Sequence, residues 1–267
     1  MAACAIAIIG AARSPAGAVD ASRSVRPASA RLLFSDDFRG RTLDPRIWYR
    51  CFSWANEHTG CSNGPPYDLE WYEFPNVSVD GGQLELTALK QPDDGYDYTS
   101  GMAQSGPTPH RGPGFAYLYG YAEMRAQFPP GHGMWPAFWM LPVNGSWPPE
   151  IDAMEWQGAT PRFDYATFHW VDAHGKRRQS GTAYDTGMDL STAPHVYGVD
   201  WQPRAITWYF DGAQIKRYTD ARFIPNVPMY LIVDLAVGGW ISFPNRHTHF
   251  PATMSIDYVR VWSRKPG

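Results

Sequence analysis

Residues Gly120 to Phe128 alternate without a break. Tyr121, Glu123, Arg125 and Gln127 fall on one side, and Ala122, Met124, Ala126 and Phe128 on the other. A period of two sends successive side chains to opposite faces of a strand, whereas a helical face recurs every 3.6 residues. The same signal returns along the chain. Val77–Val79, Asp80-Gly81-Gly82 and Gln83–Leu89 read as a hairpin with a Gly-rich turn, and Ile206–Phe210, Asp211-Gly212 and Ala213–Tyr218 as a second. Met229–Val237 is an apolar run suited to a strand buried on both faces, and Met254–Trp262 is a further strand. No long amphipathic helix pattern interrupts them, and 24 Pro and 25 Gly supply the turns. The chain is therefore expected to be all-β, an antiparallel β-sandwich of jelly-roll or related topology, with one domain over residues 31–265.

Residues 2–12 are apolar and are followed by Ser-Pro-Ala-Gly-Ala, which resembles a secretory signal lacking its charged start; residues 19–30 read as a linker. The apolar run is too short to span a bilayer as a helix, so no membrane partner is expected. A net charge of −3 without a basic run argues against nucleic acid. A secreted monomer is expected. Cys4 lies in the leader, leaving Cys51 and Cys61 as an even pair around a short loop. They would form a disulfide in an exported protein and two thiols in a cytosolic one. Twelve Trp exceed what packing alone demands, and apolar ring faces suit the C–H faces of sugars.

Glu150-Ile151-Asp152-Ala153-Met154-Glu155 carries three carboxylates in six residues, in a chain only 18% charged. Paired carboxylates suit glycosidic-bond hydrolysis, one donating a proton and the other acting as nucleophile or base. The spacing adds a structural condition. On a regular strand Glu150 and Asp152 share a face and Glu155 points away; on a helix the two Glu stand about 140° apart. If both glutamates serve one site, the strand carries an extra residue, a β-bulge, between Asp152 and Glu155.

Several segments now read together. Tyr119-Gly-Tyr-Ala-Glu-Met-Arg125, Gly131-His-Gly-Met-Trp-Pro-Ala-Phe-Trp-Met-Leu-Pro142, the carboxylate motif, His195-Val-Tyr-Gly-Val-Asp-Trp201, Leu235-Ala-Val-Gly-Gly239 and Asp257-Tyr-Val-Arg-Val261 resemble glycoside hydrolase family 16 in its own order, over about 35–262. The bulged Glu-x-Asp-x-x-Glu form resembles the laminarinase-like branch. The resemblance implies a concanavalin-like jelly-roll with a concave substrate cleft and an endo-acting, retaining β-1,3-glucanase, extending to mixed β-1,3-1,4-glucan. By position Glu150 would be the nucleophile, Glu155 the general acid/base, and Asp152 the residue tuning the nucleophile. A neighbouring ionised carboxylate should raise the Glu155 pKa, and the three should titrate together. Trp135 and Trp139 would floor the sugar subsites before the scissile bond, His169 would stand beside the acid/base, and Asn63 would meet a glucosyl unit, although Pro65-Pro66-Tyr67 makes its loop unusual. Asp234 stands where relatives often carry Asn.

No cofactor is expected for catalysis. A structural Ca²⁺ is implied by the family at Asp37 and Gly82, through backbone carbonyls, and at the Asp257 carboxylate. His247 and His249 lack a third ligand and carry no metal reading. Alternative functions are a galactan hydrolase of agarase or carrageenase type, a transglycosylase using the same covalent intermediate, and a non-catalytic glycan-binding jelly-roll.

Overall fold

The alternating segments become strands in the computed structural model, which describes residues 29–54 and 61–267. The expected leader over residues 1–30 lies outside the described residues except for its last two. In chain order the strands are β1 (Leu32–Asp36), β2 (Glu70–Tyr72), β3 (Val77–Asp80), β4 (Gln83–Ala88), β5 (Tyr98–Ser100), β6 (Met102–Gln104), β7 (Gly120–Gln127), β8 (Met134–Pro142), β9 (Glu150–Trp156), β10 (Phe163–Val171), β11 (Arg177–Asp185), β12 (His195–Gln202), β13 (Ala205–Phe210), β14 (Ala213–Tyr218), β15 (Met229–Val237) and β16 (Ala252–Trp262). Among the described residues the only helical element is a single 3₁₀ turn at Phe74–Asn76.

Two antiparallel sheets form the jelly-roll sandwich. One runs β14-β13-β12-β7-β16-β4-β3, with β1 pairing the far half of β16; the other runs β11-β10-β9-β8-β15-β6. The alternation of β7 explains its place. Ala122, Met124 and Ala126 are fully buried between the sheets, while Glu123, Arg125 and Gln127 are only partly covered. The long run of β15 also behaves as its composition requires, with all nine residues buried. Its odd positions Met229, Leu231, Val233, Leu235 and Val237 enter the inter-sheet core, and its even positions line the opposite face.

The core is aromatic and aliphatic. Trp156, Trp201, Trp208, Phe128, Phe138 and Phe168 are fully buried beside Leu84 and Leu86. Each such side chain contributes about 1.5–3 kcal/mol over its exposed state. Truncating Leu84 to Ala would cost about 2–5 kcal/mol, because a packed interior relaxes only partly around the gap. A one-residue slip of any strand would turn its apolar set outward, so this core also fixes register.

A second, smaller cluster sits on the outer face of the six-stranded sheet. Phe52, Tyr72, Met102, Leu141, Tyr230 and Ile232 pack there around Cys51 and Cys61, which are joined as a disulfide. The parallel pair β2–β5 adjoins it. Gly238 and Gly239, both at positive φ, let the end of β15 approach Tyr67 and Gln157 where a Cβ would collide. This cluster builds one wall of the cleft.

Candidate active site

The bulge demanded by the carboxylate spacing is present in β9. On β8, Phe138 pairs with Met154 and the next residue, Trp139, pairs with Asp152, so Ala153 has no counterpart. On β10, Tyr165 faces Glu155 and Thr167 faces Asp152, again one residue short. Ala153 and Met154 both turn into the inter-sheet core. Glu150, Asp152 and Glu155 consequently emerge together on the outer face, where they line one small cavity of about 150 Å³ with Asn63, Asp68, Trp135, Trp139 and Asp234.

A larger cavity of about 700 Å³ opens on the Glu150 side, lined by Trp54, Asn63, Trp139, Trp147, Tyr230, the end of β8 and the loop that follows it through residue 146. Its walls are aromatic. Trp54 stacks on Phe52 at 4.4 Å, and Phe52 meets Trp139 edge-on. At the Glu155 end the aromatics form a corner. Trp240 stands perpendicular to both Trp135 and Tyr165, at 5.0 and 5.6 Å, and is 43% exposed.

Each glutamate has an indole donor. Trp147 Nε1 donates to Glu150 Oε2 at 2.8 Å, and Trp135 Nε1 donates to Glu155 Oε1 at 3.2 Å. Burial pushes both carboxyls well above the usual carboxylate range. The charge of Asp152 adds to this for each of them, and Glu150 also acts on Glu155; the two indole donors oppose the shift. The sequence-based expectation named a neighbouring charge as the cause at Glu155; burial is the larger one.

His169 is placed differently from expectation. It pairs in register with Glu150, and its Nε2 lies 3.5 Å from Glu150 Oε1 and 3.2 Å from Asp152 Oδ2, neither approach aligned as a hydrogen bond. Tyr165 occupies the position opposite Glu155. β10 runs antiparallel to β9, and only the register decides which β10 residue meets which carboxylate. Trp135 and Trp139 share the cleft face as expected, but they divide between its ends. Trp139 lines both cavities, whereas Trp135 lines only the smaller one and bonds Glu155. Asn63 borders both cavities and shares the smaller one with Asp68.

A second group of acids adjoins these; sequence reading marked Asp234 as a departure from relatives but missed Asp68 and Glu70. Asp234 is buried and accepts from Trp139 Nε1 at 2.6 Å and Tyr72 OH at 3.1 Å. Burial raises its pKa to about 7, against those two donors, and raises Asp68 to about 7 as well. Glu70, fully buried, bonds the Val237 amide at 2.7 Å. One acid inside the nine-residue apolar run of β15 was the available signal.

Glu150, Asp152 and His169 are the only cluster of metal-ligand type among the described residues, their ligand atoms lying within 4.8 Å of one another. The calcium set is another matter. Arg125 pairs with Asp257 Oδ2 and Gln83 donates to Oδ1 at 2.7 Å, while Arg260 holds the Asp37 carboxylate at 2.8 Å. With both oxygens engaged by donors, the Asp257 carboxylate does not fit a cation as it stands.

The model of glycosyl hydrolases family 16 matches residues 65–260. Endo-1,3-1,4-beta-glycanase ExsH of Rhizobium meliloti is 37% identical over 86% of this chain and 51% of its own length. The chain thus spans about half the length of the first curated relatives it matches. Among solved structures, the laminarinase catalytic domain from Thermotoga maritima aligns with a TM-score of 0.74 at 30% identity, over 90% of this chain and 100% of that one. LamA from Z. galactanivorans, in complex with laminaritriose and laminaritetraose, aligns with a TM-score of 0.75 at 27% identity, over 88% of this chain and 100% of that one. The β-sandwich and its paired-carboxylate site are of the kind that glycoside hydrolases carry. The chain belongs to glycosyl hydrolase family 16.

Proposed function

We propose that this chain is a retaining endo-β-glucanase that hydrolyses β-1,3-glucan and also mixed β-1,3-1,4-glucan. The bulge in β9 carries the reading: it brings Glu150 and Glu155 onto one face in a chain whose regular strand would separate them. Relatives named as an endo-1,3-1,4-beta-glycanase and a laminarinase support the substrate class.

The chemistry follows from the distribution of donors. Glu150 has the shorter indole bond, 2.8 Å against 3.2 Å at Glu155, so its anion is the better held. Glu155 lies under the charges of Asp152, Glu150 and Asp234 and keeps the proton. Glu150 attacks the anomeric carbon while Glu155 protonates the leaving oxygen, and the glycosidic C–O bond breaks. Glu155, now anionic, takes a proton from water as the water attacks, and the Glu150 ester is released with net retention. Asp152, between them, shares hydrogen bonding and charge with Glu150. A sugar hydroxyl in place of water would give transglycosylation.

The same lining argues against sulfated galactans. Five carboxylates, Asp68, Glu150, Asp152, Glu155 and Asp234, line the small cavity without a Lys or Arg. Of the nearby cations, Arg162 pairs with Asp185 and Arg178 with Asp172, and Arg177 stacks on Trp147 at the rim. An anionic sugar would meet the Glu150 anion, with no unpaired cation to balance it, at the scissile position. The reading extends to export, which the disulfide supports, and to action as a monomer. A Ca²⁺ near Asp257 would require release of Arg125.

Reducing-sugar release from laminarin, lichenan and agarose tests the proposal, with Glu150→Ala and Glu155→Ala in parallel. Release from laminarin and lichenan, lost in both variants, is expected. Release from agarose alone would reassign the substrate, and binding without release would leave a glycan-binding module.

A further inference from the structure

The bulge that aims Glu155 disturbs the hydrogen-bond ladder on both sides of β9, and two of the carbonyls there are met from the opposite sheet. Trp208 on β13, fully buried, donates Nε1 to the Asp152 carbonyl at 2.7 Å. Lys216 on β14, 8% exposed, donates Nζ to the Ala166 carbonyl at 2.8 Å and also to the Ser180 carbonyl. Ala166 is the one β10 residue that stands opposite the two bulge residues Ala153 and Met154, and Ser180 lies on the next strand, β11. The two donors are themselves joined, the ammonium lying 4.3 Å from the centre of the Trp208 ring.

A buried lysine is costly, and this one is used for nothing on the protein surface. It makes no ion pair among the described residues. Burial lowers its pKa to about 8, while the charge of Asp152, on the far side of β9, works in the opposite sense. Backbone carbonyls of two strands, an aromatic face and the field of an active-site carboxylate surround it, and the Ala166 carbonyl, the Trp208 ring and Asp152 all adjoin the bulge.

We propose that Trp208 and Lys216 are positioning residues for the reaction, clamping the β9 bulge from the opposite sheet so that Glu155 and Asp152 face the scissile bond together. The inference rests on the catalytic reading of Glu150 and Glu155. Neither clamp residue reaches the cleft, so neither touches sugar. Both act on where the acid/base stands, and misplacement of a reacting group by about an ångström costs on the order of a hundredfold in rate.

The test measures kcat and KM on laminarin for Lys216→Met, Trp208→Phe, Lys216→Arg and Glu155→Ala, each checked by near-UV circular dichroism. Lys216→Met and Trp208→Phe are expected to remain folded and to lose roughly 10–100-fold in kcat with KM within about threefold of wild type. Lys216→Arg, which keeps donors for the carbonyls, is expected to recover part of the loss. Folded Lys216→Met and Trp208→Phe with wild-type kcat would overturn the clamp. A rise in KM at constant kcat would do the same, and so would loss of the fold in both, since the contacts would then serve the sandwich as a whole. An active Glu155→Ala would instead overturn the catalytic reading itself.

Discussion

Trp147, three residues ahead of Glu150, donates its indole N–H to Glu150 Oε2 at 2.8 Å. The donor lies at the mouth of the larger cavity, with Arg177 stacked on its outer face at 4.5 Å. It favours the anion of a carboxyl that burial pushes up. In Trp147→Phe the Glu150 pKa should rise further, so the acid limb of kcat/KM moves to higher pH. A hydrogen bond to a charged group contributes about 1.5–3 kcal/mol, less where water competes, so kcat at neutral pH should fall about tenfold. An unmoved acid limb would remove Trp147 from the titration.

Asp152 is the lever on both glutamates. Its charge raises Glu150 and Glu155 alike, second only to burial in each case. Asp152→Asn should therefore lower both, moving the acid and the alkaline limbs of kcat/KM to lower pH together. The two limbs are properties of the coupled set and should shift as a pair. Movement of one limb alone would break the coupling inferred from the geometry.

Much of this site was legible because period is a local property. The β7 and β15 segments declare themselves by alternation and by an unbroken apolar run, and both form at their expected places. The bulge was legible for a stronger reason: Glu150, Asp152 and Glu155 could not share a face without it. Register was not legible. His169 falls opposite Glu150, and Tyr165 opposite Glu155, through the pairing of two strands, which no local pattern encodes. Trp147 offered only its nearness to Glu150 in sequence, and Trp240 nothing beyond its ring. Lys216 sits in an amphipathic hairpin strand, where a lysine ordinarily faces water.

The buried acids beside the cleft make stability depend on pH. Asp68 and Asp234 titrate near 7 in the fold and near 3.8 as ordinary aspartates, burial being the cause in each. Between those values the folded state holds protons that the unfolded chain has lost. Their favourable contribution is therefore complete below about pH 4 and disappears as pH rises towards 7, at a slope of order 1 kcal/mol per pH unit for each group. Urea midpoints should fall over this window, and fall less in Asp234→Asn. A flat midpoint from pH 4 to 7 in the wild type would contradict the burial of these carboxyls.

At the Glu155 end, Trp240 is the exposed member of a three-ring corner with Trp135 and Tyr165. Its position beside the acid/base suits it to stack the sugar on the leaving side. Trp240→Ala should lower kcat/KM on long laminari-oligosaccharides roughly tenfold, consistent with about 1.5 kcal/mol of lost apolar contact. An aryl glucoside that places no sugar there should be hydrolysed as by wild type. Because the ring is 43% exposed, thermal stability should change little. An equal loss on both substrates would place the effect on chemistry instead of on the leaving-side sugar.

The disulfide should act on the other end of the cleft. Cys51 and Cys61, ten residues apart, pack with Phe52, and Phe52 supports both Trp54 and Trp139. Closing so short a loop contributes about 2–3 kcal/mol in the chain-entropy account. The paired Cys51→Ser, Cys61→Ser variant should lose about that much stability. Its KM on laminarin should rise while kcat holds, because the aromatic wall that loosens lies on the Glu150 side and the β9 bulge is held from the opposite sheet. If kcat fell with KM unchanged, the wall and the bulge would have to be coupled, and the separation of binding from positioning drawn from these contacts would fail.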